Sequence, residues 1–402
     1  MIKITSNGQN LRGSLANFLK YGRFLQTMAL KVYHQQVKKI NKSVEDKEAI
    51  LKSEAKLQEA GFVEYVTNLP EDIQKLLADS PHQNYLPWLV AYKENSLSTP
   101  ARLVFDAGRA TFTGFSLNDI LAKGTNNLNN LLEIFLRFRT HKVAFHNDVN
   151  KMYNNVKLYS HHWCFQRYLF EPTLDPDKPP LEKVIMTVIY GVVSSGNQAS
   201  CALVKLAQAF KDEYPEVCEV IENDYYMDDS MSGESNLQRA QQLMEELELV
   251  LSHGGFTLKS FTVSGNHPDK SVSSDGVSIP IAGHKWFSKD DEIALDIKEL
   301  NFAKKQRGRK SEAIKEVPEK LTRRICTSKF AEVFDFSGLI SPITARWKID
   351  LHDLVTRKLD WDDAIPENLR SLWVNNFEMM SEIKDIRFKR AVVPDDAATL
   401  NM

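Results

Sequence analysis

The spacing of apolar residues divides the chain into helical and extended segments. Apolar positions such as Leu15, Phe18, Leu25 and Met28 recur at intervals of three and four residues, which predicts helical structure over residues 12–60. Further helices are predicted at 117–138, 198–210, 236–252 and, with breaks, from 298 onward. Strands are predicted at 85–92, 101–106, 143–148, 163–170 and 184–190, with two short ones within 220–233.

The order of these segments predicts an α+β fold. Strands and helices are mixed without regular strand–helix–strand repeats, which disfavours a doubly wound parallel sheet. The segments 85–92 and 101–106 flank a polar turn and predict a β-hairpin. The 402 residues suffice for two or three domains, and the 43% hydrophobic content indicates a folded core. The sequence contains no run of about 18 uncharged apolar residues, so we expect no membrane-spanning segment.

Charge is distributed unevenly along the chain, although the net charge is only −2. Residues 1–50 contain nine Lys and Arg against three Asp and Glu, and residues 298–329 contain eleven against four. Between residues 211 and 248 the balance reverses, with two basic residues against twelve acidic ones. Basic flanks can bind phosphates while an acidic centre binds a divalent metal; solvated helix faces are the alternative explanation.

The strongest local signal is the sequence Tyr225-Tyr226-Met227-Asp228-Asp229. Two adjacent carboxylates among aromatic and apolar residues cannot both be buried unpaired, because removing an ion from water costs several kcal/mol. No basic residue lies close by in the sequence, so a divalent metal ion is the expected counterion. Oxygen ligands without His or Cys suit Mg²⁺ or Mn²⁺. For the two aspartates alone, an exposed turn is the alternative.

Asp148 strengthens the metal interpretation, because it ends a predicted strand 80 residues before Asp228. Phosphoryl transfer by two metal ions requires carboxylates from separate segments that meet where two cations lie about 3.5–4 Å apart. We therefore predict that Asp148 and Asp228 bridge the two ions. Asp229 is predicted to be an auxiliary or structural acid.

The motif Tyr226-Met227-Asp228-Asp229 resembles the metal-binding hairpin of reverse transcriptases. Its surroundings resemble one lineage, the BEL/Pao long-terminal-repeat retrotransposons, from about residue 50 almost to the end of the chain and in the expected order. The other matching stretches are Tyr85-Leu86-Pro87, Arg102 to Ala107, Ser116 to Asp119, Asp148 to Tyr153, Gly254 to Lys259, Phe334 to Thr344 and Leu359 to Asp363.

The resemblance implies contacts with the incoming nucleotide. Arg102 resembles the arginine that contacts the triphosphate, and Lys93 is a looser candidate for a second phosphate contact. Val149 follows the first metal-binding aspartate and is expected to contact metal and triphosphate. Tyr153 resembles the steric gate that collides with a ribose 2′-hydroxyl and so favours deoxynucleotides; a core tyrosine is the alternative.

Further roles follow from the same resemblance. Tyr190 and Gly191 resemble the loop that lies against the nascent base pair, where close backbone approach explains the glycine. Lys259 resembles the lysine that protonates the pyrophosphate leaving group, with a solvated lysine as the alternative. Gly283 and Trp286 fall where the primer-gripping hairpin is expected. Basic residues that fit a thumb tracking duplex phosphates are Lys304, Lys305, Arg307, Arg309 and Lys310.

The resemblance also implies the overall organisation, a right-hand polymerase fold. We expect an N-terminal leader at 1–29, fingers at 30–140, a palm with inserted fingers elements and the primer-grip hairpin at 141–287, and a thumb with a connection-like helical region at 288–402. The implied activity is RNA-dependent and DNA-dependent DNA polymerisation, in which two Mg²⁺ or Mn²⁺ ions assist extension of a primer 3′-hydroxyl with dNTPs. The implied location is a cytoplasmic virus-like particle, with the nucleus as an alternative.

The resemblance also implies binding partners for this chain, and two alternative functions stay open. The partners are an RNA or DNA template with its primer, dNTPs, and the ribonuclease H, integrase and protease parts of the same polyprotein, with no membrane. We recognise no aspartic-protease motif, no ribonuclease H acid set and no integrase-like segment in the sequence. An RNA-dependent RNA polymerase would carry Gly-Asp-Asp at Met227 to Asp229. A catalytically silent nucleic-acid-binding protein is the other alternative, since Gly196 follows a serine pair where the family usually has proline.

Overall fold

The computed structural model describes residues 22–92, 101–111, 114–265, 278–303 and 313–392. Helices account for much of this part of the chain. In chain order they are α1 (Gly22–Ile40), α2 (Val44–Glu59), α3 (Glu71–Ala78), α4 (Leu117–Ile120), α5 (Leu131–Thr140), α6 (Met152–Asn155), α7 (Ser195–Ala209), α8 (Pro215–Asn223), α9 (Leu237–His253), α10 (Arg323–Phe330), α11 (Ser341–Thr356) and α12 (Glu367–Ile383).

The strands pair in antiparallel fashion in every sheet of the described residues. In chain order they are β1 (Val63–Tyr65), β2 (Trp88–Tyr92), β3 (Ala101–Phe105), β4 (Val143–Asn150), β5 (Arg167–Phe170), β6 (Leu181–Ile185), β7 (Tyr225–Tyr226), β8 (Asp229–Glu234), β9 (Thr257–Leu258), β10 (Thr262–Val263), β11 (Ile279–Ile281), β12 (His284–Phe287), β13 (Glu292–Leu295) and β14 (Phe388–Lys389).

The chain forms two compact units, and the first consists of Met1–Leu128 with Lys151–Leu206. It contains the hairpin β2–β3 and a sheet in the order β1–β6–β5. The inner faces of α1 and α2 contribute to an apolar core around Trp88 and Phe170, whose rings lie 5.8 Å apart. The indole N–H of Trp88 donates to the Leu169 carbonyl at 2.9 Å, so the hairpin and the sheet share both a core and a hydrogen bond.

The second unit consists of Asn129–Asn150 with Ala207–Met402. Its first sheet has the order β10–β4–β8–β7, with β9 pairing with the end of β4. Its second sheet has the order β11–β12–β13–β14. Helix α5 packs its buried residues Phe135 and Phe138 in one apolar core with Trp286 of β12, while α10, α11 and α12 enclose a separate core.

The predicted mixture of helices and antiparallel strands is confirmed, and so is the hairpin 85–106 as β2–β3. The helix predicted over 117–138 is wrong as a single element. Residues 121–130 separate α4 from α5, and the Asn130 side chain accepts from the Leu132 amide at 3.0 Å and caps α5. Asparagine favours such caps over helix interiors because its amide competes for backbone hydrogen bonds. The start of the strand predicted at 163–170 is also wrong, because residues 160–165 form a 3₁₀ helix.

Candidate active site

Strand pairing in the second unit brings together the aspartates that the sequence separates. In the antiparallel pair β4–β8, Asp148 lies opposite Asp229. Asp228 belongs to the two-residue turn between β7 and β8, and its carbonyl accepts from the Val149 amide at 2.8 Å. Directly opposed residues in such a pair have Cβ atoms about 4.5–5.5 Å apart on one face of the sheet. The three carboxylates therefore come from two segments and meet at one end of this sheet.

The turn that presents Asp228 has an unusual backbone. Met227 adopts φ 57°, whereas Asp228 does not have a positive φ. A two-residue hairpin turn with a positive φ only at its first central residue matches the type II′ class, which normally places glycine there. A non-glycine residue in this region stores about 1–3 kcal/mol of strain. The surrounding sheet therefore holds the turn in a conformation that a free peptide would avoid.

Lys259 lies beside this acidic group. Its amide donates to the Asp148 carbonyl at 2.9 Å, directly after β9 pairs with the end of β4. Its ammonium Nζ lies 2.7 Å from Asp148 Oδ2, in a hydrogen-bonded ion pair. The lysine side chain is more than half exposed, so the pair is open to solvent on one side. The structure thus places the predicted lysine against the predicted metal ligand.

The site carries an excess of negative charge. Burial raises the pKa of Asp228, and the neighbouring carboxylates of Asp229 and Asp148 raise it further. The ring of His146 approaches from β4, with Nε2 at 3.6 Å from Asp229 Oδ1. That distance is too long for a hydrogen bond, and His146 Nε2 is buried without a hydrogen-bond partner in the described residues. One lysine and one such histidine do not neutralise three carboxylates.

Buried polar side chains lie next to the carboxylates, on strands β4, β7 and β8. Asn147 and Ser230 face each other in the β4–β8 pair, and both are fully buried. The Tyr225 hydroxyl donates to Asn147 Oδ1 at 2.9 Å. Asn147 Nδ2 and Ser230 Oγ have no hydrogen-bond partner among the described residues. Buried polar groups without partners are costly, so this layer is retained at some expense of stability directly beneath the carboxylates.

The donor set fits a hard divalent cation in its chemistry. Asp148, Asp228 and Asp229 offer only carboxylate oxygens, the ligand type that Mg²⁺ and Mn²⁺ prefer. No three His, Cys, Asp or Glu side chains of the described residues lie close enough together to hold a metal ion in this conformation. The Lys259 ammonium neutralises Asp148 instead.

The hairpin expected to grip a primer is present as β11–β12 in the second unit. Its turn consists of Ala282 (φ 45°) and Gly283 (φ 79°), the two positive φ values of a type I′ turn. His284 stacks on Phe135 with ring centroids 4.6 Å apart, and burial lowers its pKa. Trp286 is fully buried, and its indole N–H donates to Asp291 Oδ1 at 3.0 Å. The placement corrects the expectation that Trp286 contacts nucleic acid, since its ring belongs to the core.

An internal ion pair anchors the sheet that contains this hairpin. Arg390 is fully buried, and its Nε and Nη2 donate to the two carboxylate oxygens of Asp291 at 2.7 and 2.8 Å. The same guanidinium also donates to the carbonyls of Phe138 and Lys142. Through Asp291 it is linked to Trp286, so one arginine connects the last described strand, the hairpin sheet and the end of α5.

The first unit contains most of the residues that are predicted to contact the incoming nucleotide. Arg102 lies exposed on β3, opposite Ala91 of β2. Tyr153 lies in α6 and is only 6% exposed, with its ring against that of half-exposed Tyr190 at a centroid distance of 4.2 Å. The two tyrosines that the sequence suggested for sugar and base-pair contacts are thus neighbours. Lys93, Lys304, Lys305, Arg307, Arg309 and Lys310 lie outside the described residues.

Position 191 requires glycine because it lies close to the backbone of another segment of the chain. It adopts φ 98°, and a Cβ added there would lie 2.5 Å from the carbonyl oxygen of Phe105. The Asn118 side chain holds the same segment, because its Nδ2 donates to the Gly191 carbonyl at 2.8 Å and its Oδ1 accepts from the Val193 amide at 2.9 Å. The contact with a base pair stays a prediction.

Gly191→Ala is expected to lower the free energy of unfolding by more than about 2 kcal/mol, because the new methyl group clashes with rigid backbone in addition to the positive-φ penalty of about 1–2 kcal/mol. Gly61→Ala is the matched control: Gly61 has φ 69° and no atom within 4 Å of an added Cβ. Urea denaturation measures both. Equal losses in the two variants would contradict the close-approach explanation.

Several site residues were missed by the sequence interpretation. His146 precedes Asp148 by two positions on β4, so alternation along a strand could have placed both on one face. The partner of Asn147 could not be inferred, because Tyr225 lies 78 residues away in the sequence. Arg390 and Asp291 are 99 residues apart, and neither belongs to a recognisable motif.

Comparisons with known proteins support part of this picture. Residues 322–402 match the family model described as Pao retrotransposon-like RNaseH-like domain. The match supports a BEL/Pao retrotransposon Pol protein, and hence a protein that acts on nucleic acid in the context of a polyprotein. No curated protein sequence matches the chain. None of the described helices combines the length and apolar character needed to cross a membrane.

The matched segment revises one expectation. We found no ribonuclease H acid set in the sequence, whereas the family description assigns an RNaseH-like character to residues 322–402. The described part of this segment consists of α10, α11, α12 and β14, and β14 pairs with β13 of the hairpin sheet. Its interpretation as thumb and connection helices stays a prediction.

Proposed function

We propose that this chain is the reverse transcriptase part of a BEL/Pao Pol protein, an RNA-dependent and DNA-dependent DNA polymerase. The observation that carries the proposal is the meeting of Asp148 with Asp228 and Asp229 across strands β4, β7 and β8, with Lys259 beside them. Carboxylates from separate strands at one sheet end, next to an exposed lysine, form a site for phosphoryl transfer. In this proposal the first sheet of the second unit is the palm.

The protein's own groups act mainly through position and charge. Asp148 and Asp228 would hold the two divalent ions, with Asp229 supporting them from the facing strand position. When bound, the metal ions activate the primer 3′-hydroxyl and neutralise the triphosphate. Lys259 is poised to leave Asp148 and to donate a proton or a hydrogen bond to the departing pyrophosphate. The strained turn at Met227 fixes the Asp228 backbone before substrate arrives.

The remaining parts of the right-hand fold follow as proposals. The hairpin β2–β3 with Arg102 would contribute the fingers contact to the triphosphate. The hairpin β11–β12 would support the primer through its turn at Gly283, while buried Trp286 holds the hairpin in shape. Helices α10, α11 and α12 would form the thumb and connection region, and the basic segment of residues 304–310 precedes them in the sequence. A virus-like particle in the cytoplasm is the proposed location.

Nucleotide choice tests the proposal against an RNA-dependent RNA polymerase. Tyr153→Ala is expected to raise the ratio of ribonucleotide to deoxynucleotide incorporation at least about tenfold, because the ring that excludes a 2′-hydroxyl is removed. Single-turnover extension of a DNA primer on an RNA template measures the ratio. Tyr153→Phe keeps the ring and is the control, since loss of the hydroxyl alone should leave the ratio near that of the parent.

Two outcomes would contradict this assignment. An unchanged ratio in Tyr153→Ala, with the variant folded by circular dichroism, removes Tyr153 from the gate. Efficient use of ribonucleotides by the parent chain identifies an RNA polymerase. Tyr190→Ala serves as a second comparison, because it opens the ring pair from the exposed side and should change the ratio less than Tyr153→Ala does.

A further inference from the structure

Helix α1 carries a one-sided cationic face that has no role in the polymerase site. Its sequence contains no Asp or Glu, whereas α2, the next helix, mixes five acidic residues with three lysines. Solubility alone is served by interspersed charges of both signs, so an acid-free face points to an anionic partner. Residues 22–40 of the basic segment thereby have a definite location in the first unit, as helix α1.

Lysines form a row along the outside of the helix, and exposed Lys39 lies beside it. Lys31 and Lys38 are exposed on α1 with His34 between them, and Lys42 continues the row just after the helix ends. Positions three, four and seven apart share one helix face, so these side chains point the same way. At 1.5 Å per residue, the row from Lys31 to Lys42 spans roughly 16 Å. We name the side chains of Lys31, Lys38 and Lys42 the α1 cation row.

The opposite face of α1 explains why the row cannot turn inward. Leu25, Ala29, Tyr33 and Val37 are buried in the core of the first unit. Acidic groups do approach α1, but from that side: Glu182 accepts from Gln26 at 2.7 Å. Within the described part of the chain, Lys31, Lys38 and Lys42 form no ion pair. The lysines of the row therefore keep their charge for a partner in solution.

We propose that the α1 cation row binds the phosphate backbone of single-stranded nucleic acid. A strand of phosphates offers regularly repeated negative charge, which a regular row of cations on a rigid helix complements. The row is one side chain wide, whereas a B-form duplex presents two phosphate rows on either side of a groove about 12 Å wide. One strand of unpaired template therefore fits the row better than a duplex does.

The proposal depends on a nucleic-acid partner but not on polymerisation, since its test measures binding. Lys31→Glu combined with Lys38→Glu is expected to weaken binding of a fluorescein-labelled 20-nucleotide single-stranded RNA about tenfold in 100 mM salt. Removing two phosphate contacts should also make the slope of the logarithm of the binding constant against the logarithm of salt concentration less negative by about 1.4. Fluorescence anisotropy gives both values. The same loss in an Asp228→Asn background keeps this result separate from the proposed activity.

Controls separate the row from general electrostatics. Lys52→Glu with Lys211→Glu makes the same change in net charge at exposed positions outside the row, and should alter binding less than twofold. Lys31→Gln with Lys38→Gln tests the row with milder substitutions, should the charge reversals impair folding. Unchanged binding in both row variants overturns the proposal. The row variants are also assayed for binding to an RNA duplex of equal length and to phosphatidylserine vesicles. A larger loss of affinity for the duplex, or a loss of affinity for the vesicles alone, overturns the single-strand assignment.

Discussion

Asp228→Asn is expected to lower the rate of primer extension at least a hundredfold, because it removes a carboxylate proposed to bridge both metal ions. Loss of groups that merely orient metal ligands already costs about 10–100-fold, so loss of a ligand should cost more. The substitution keeps the size of the side chain and the turn geometry. Single-turnover extension with saturating dNTP measures the chemical step. Asp212→Asn, at an exposed position away from the hairpin, should keep the parent rate.

The same variant should be more stable than the parent, which distinguishes lost chemistry from lost folding. Burial and neighbouring carboxylates raise the pKa of Asp228 in the folded state. The folded protein thus holds that proton to higher pH than the unfolded chain, and stability falls as pH rises through this window. A neutral asparagine removes the penalty at pH 7 and should raise Tm. Mg²⁺ should raise the Tm of the parent more than that of Asp228→Asn; equal shifts would contradict the ligand assignment.

Arg390→Ala is expected to cost about 3–5 kcal/mol of stability, the usual consequence of removing one partner of a buried ion pair. Four acceptor atoms each lose one donor: both carboxylate oxygens of Asp291 and the carbonyls of Phe138 and Lys142. Asp291 also holds the Trp286 indole, so the hairpin sheet should loosen. Chemical denaturation of the full chain measures the loss.

The adjacent residue provides a matched control for Arg390. Lys389 is well exposed and pairs with Glu292 at 2.9 Å on the surface of the same sheet. Exposed pairs contribute about 0–1 kcal/mol, so Lys389→Ala should have a small effect. A loss below 1 kcal/mol in Arg390→Ala would show that the buried pair does not anchor the sheet. A large loss of stability should be accompanied by weaker binding of a template–primer duplex.

Local patterns predicted the elements that carry the site. The apolar run Val143 to Phe145 identified the strand that leads to Asp148, and the sequence around Asp228 identified the β7–β8 hairpin. The polar turn of residues 93–100 identified the hairpin β2–β3. These predictions succeeded because the physical causes, short apolar runs and turn composition, act over a few residues.

Long-range pairing limited the prediction elsewhere. Trp286 was expected to contact nucleic acid, but it is buried against Phe138 of α5, which lies 148 residues away in the sequence. The split between α4 and α5 had a local signal that was overlooked, because Gly124 and four asparagines within residues 121–130 favour a break in the helix. The partner of Arg390 could not be inferred, since an isolated arginine in sequence gives no sign of the carboxylate that it will meet.

Extension of a DNA primer on an RNA template is the measurement that tests the central claim most directly. The full chain is incubated with dNTPs and Mg²⁺ or Mn²⁺, and Asp228→Asn is assayed beside it. The account predicts metal-dependent extension by the parent, abolished by a chelator and lowered at least about a hundredfold in the variant. Parent and variant extending at equal rates would contradict the proposed site. Salt-sensitive binding of the template–primer without any extension would contradict the assigned activity and identify a nucleic-acid-binding protein.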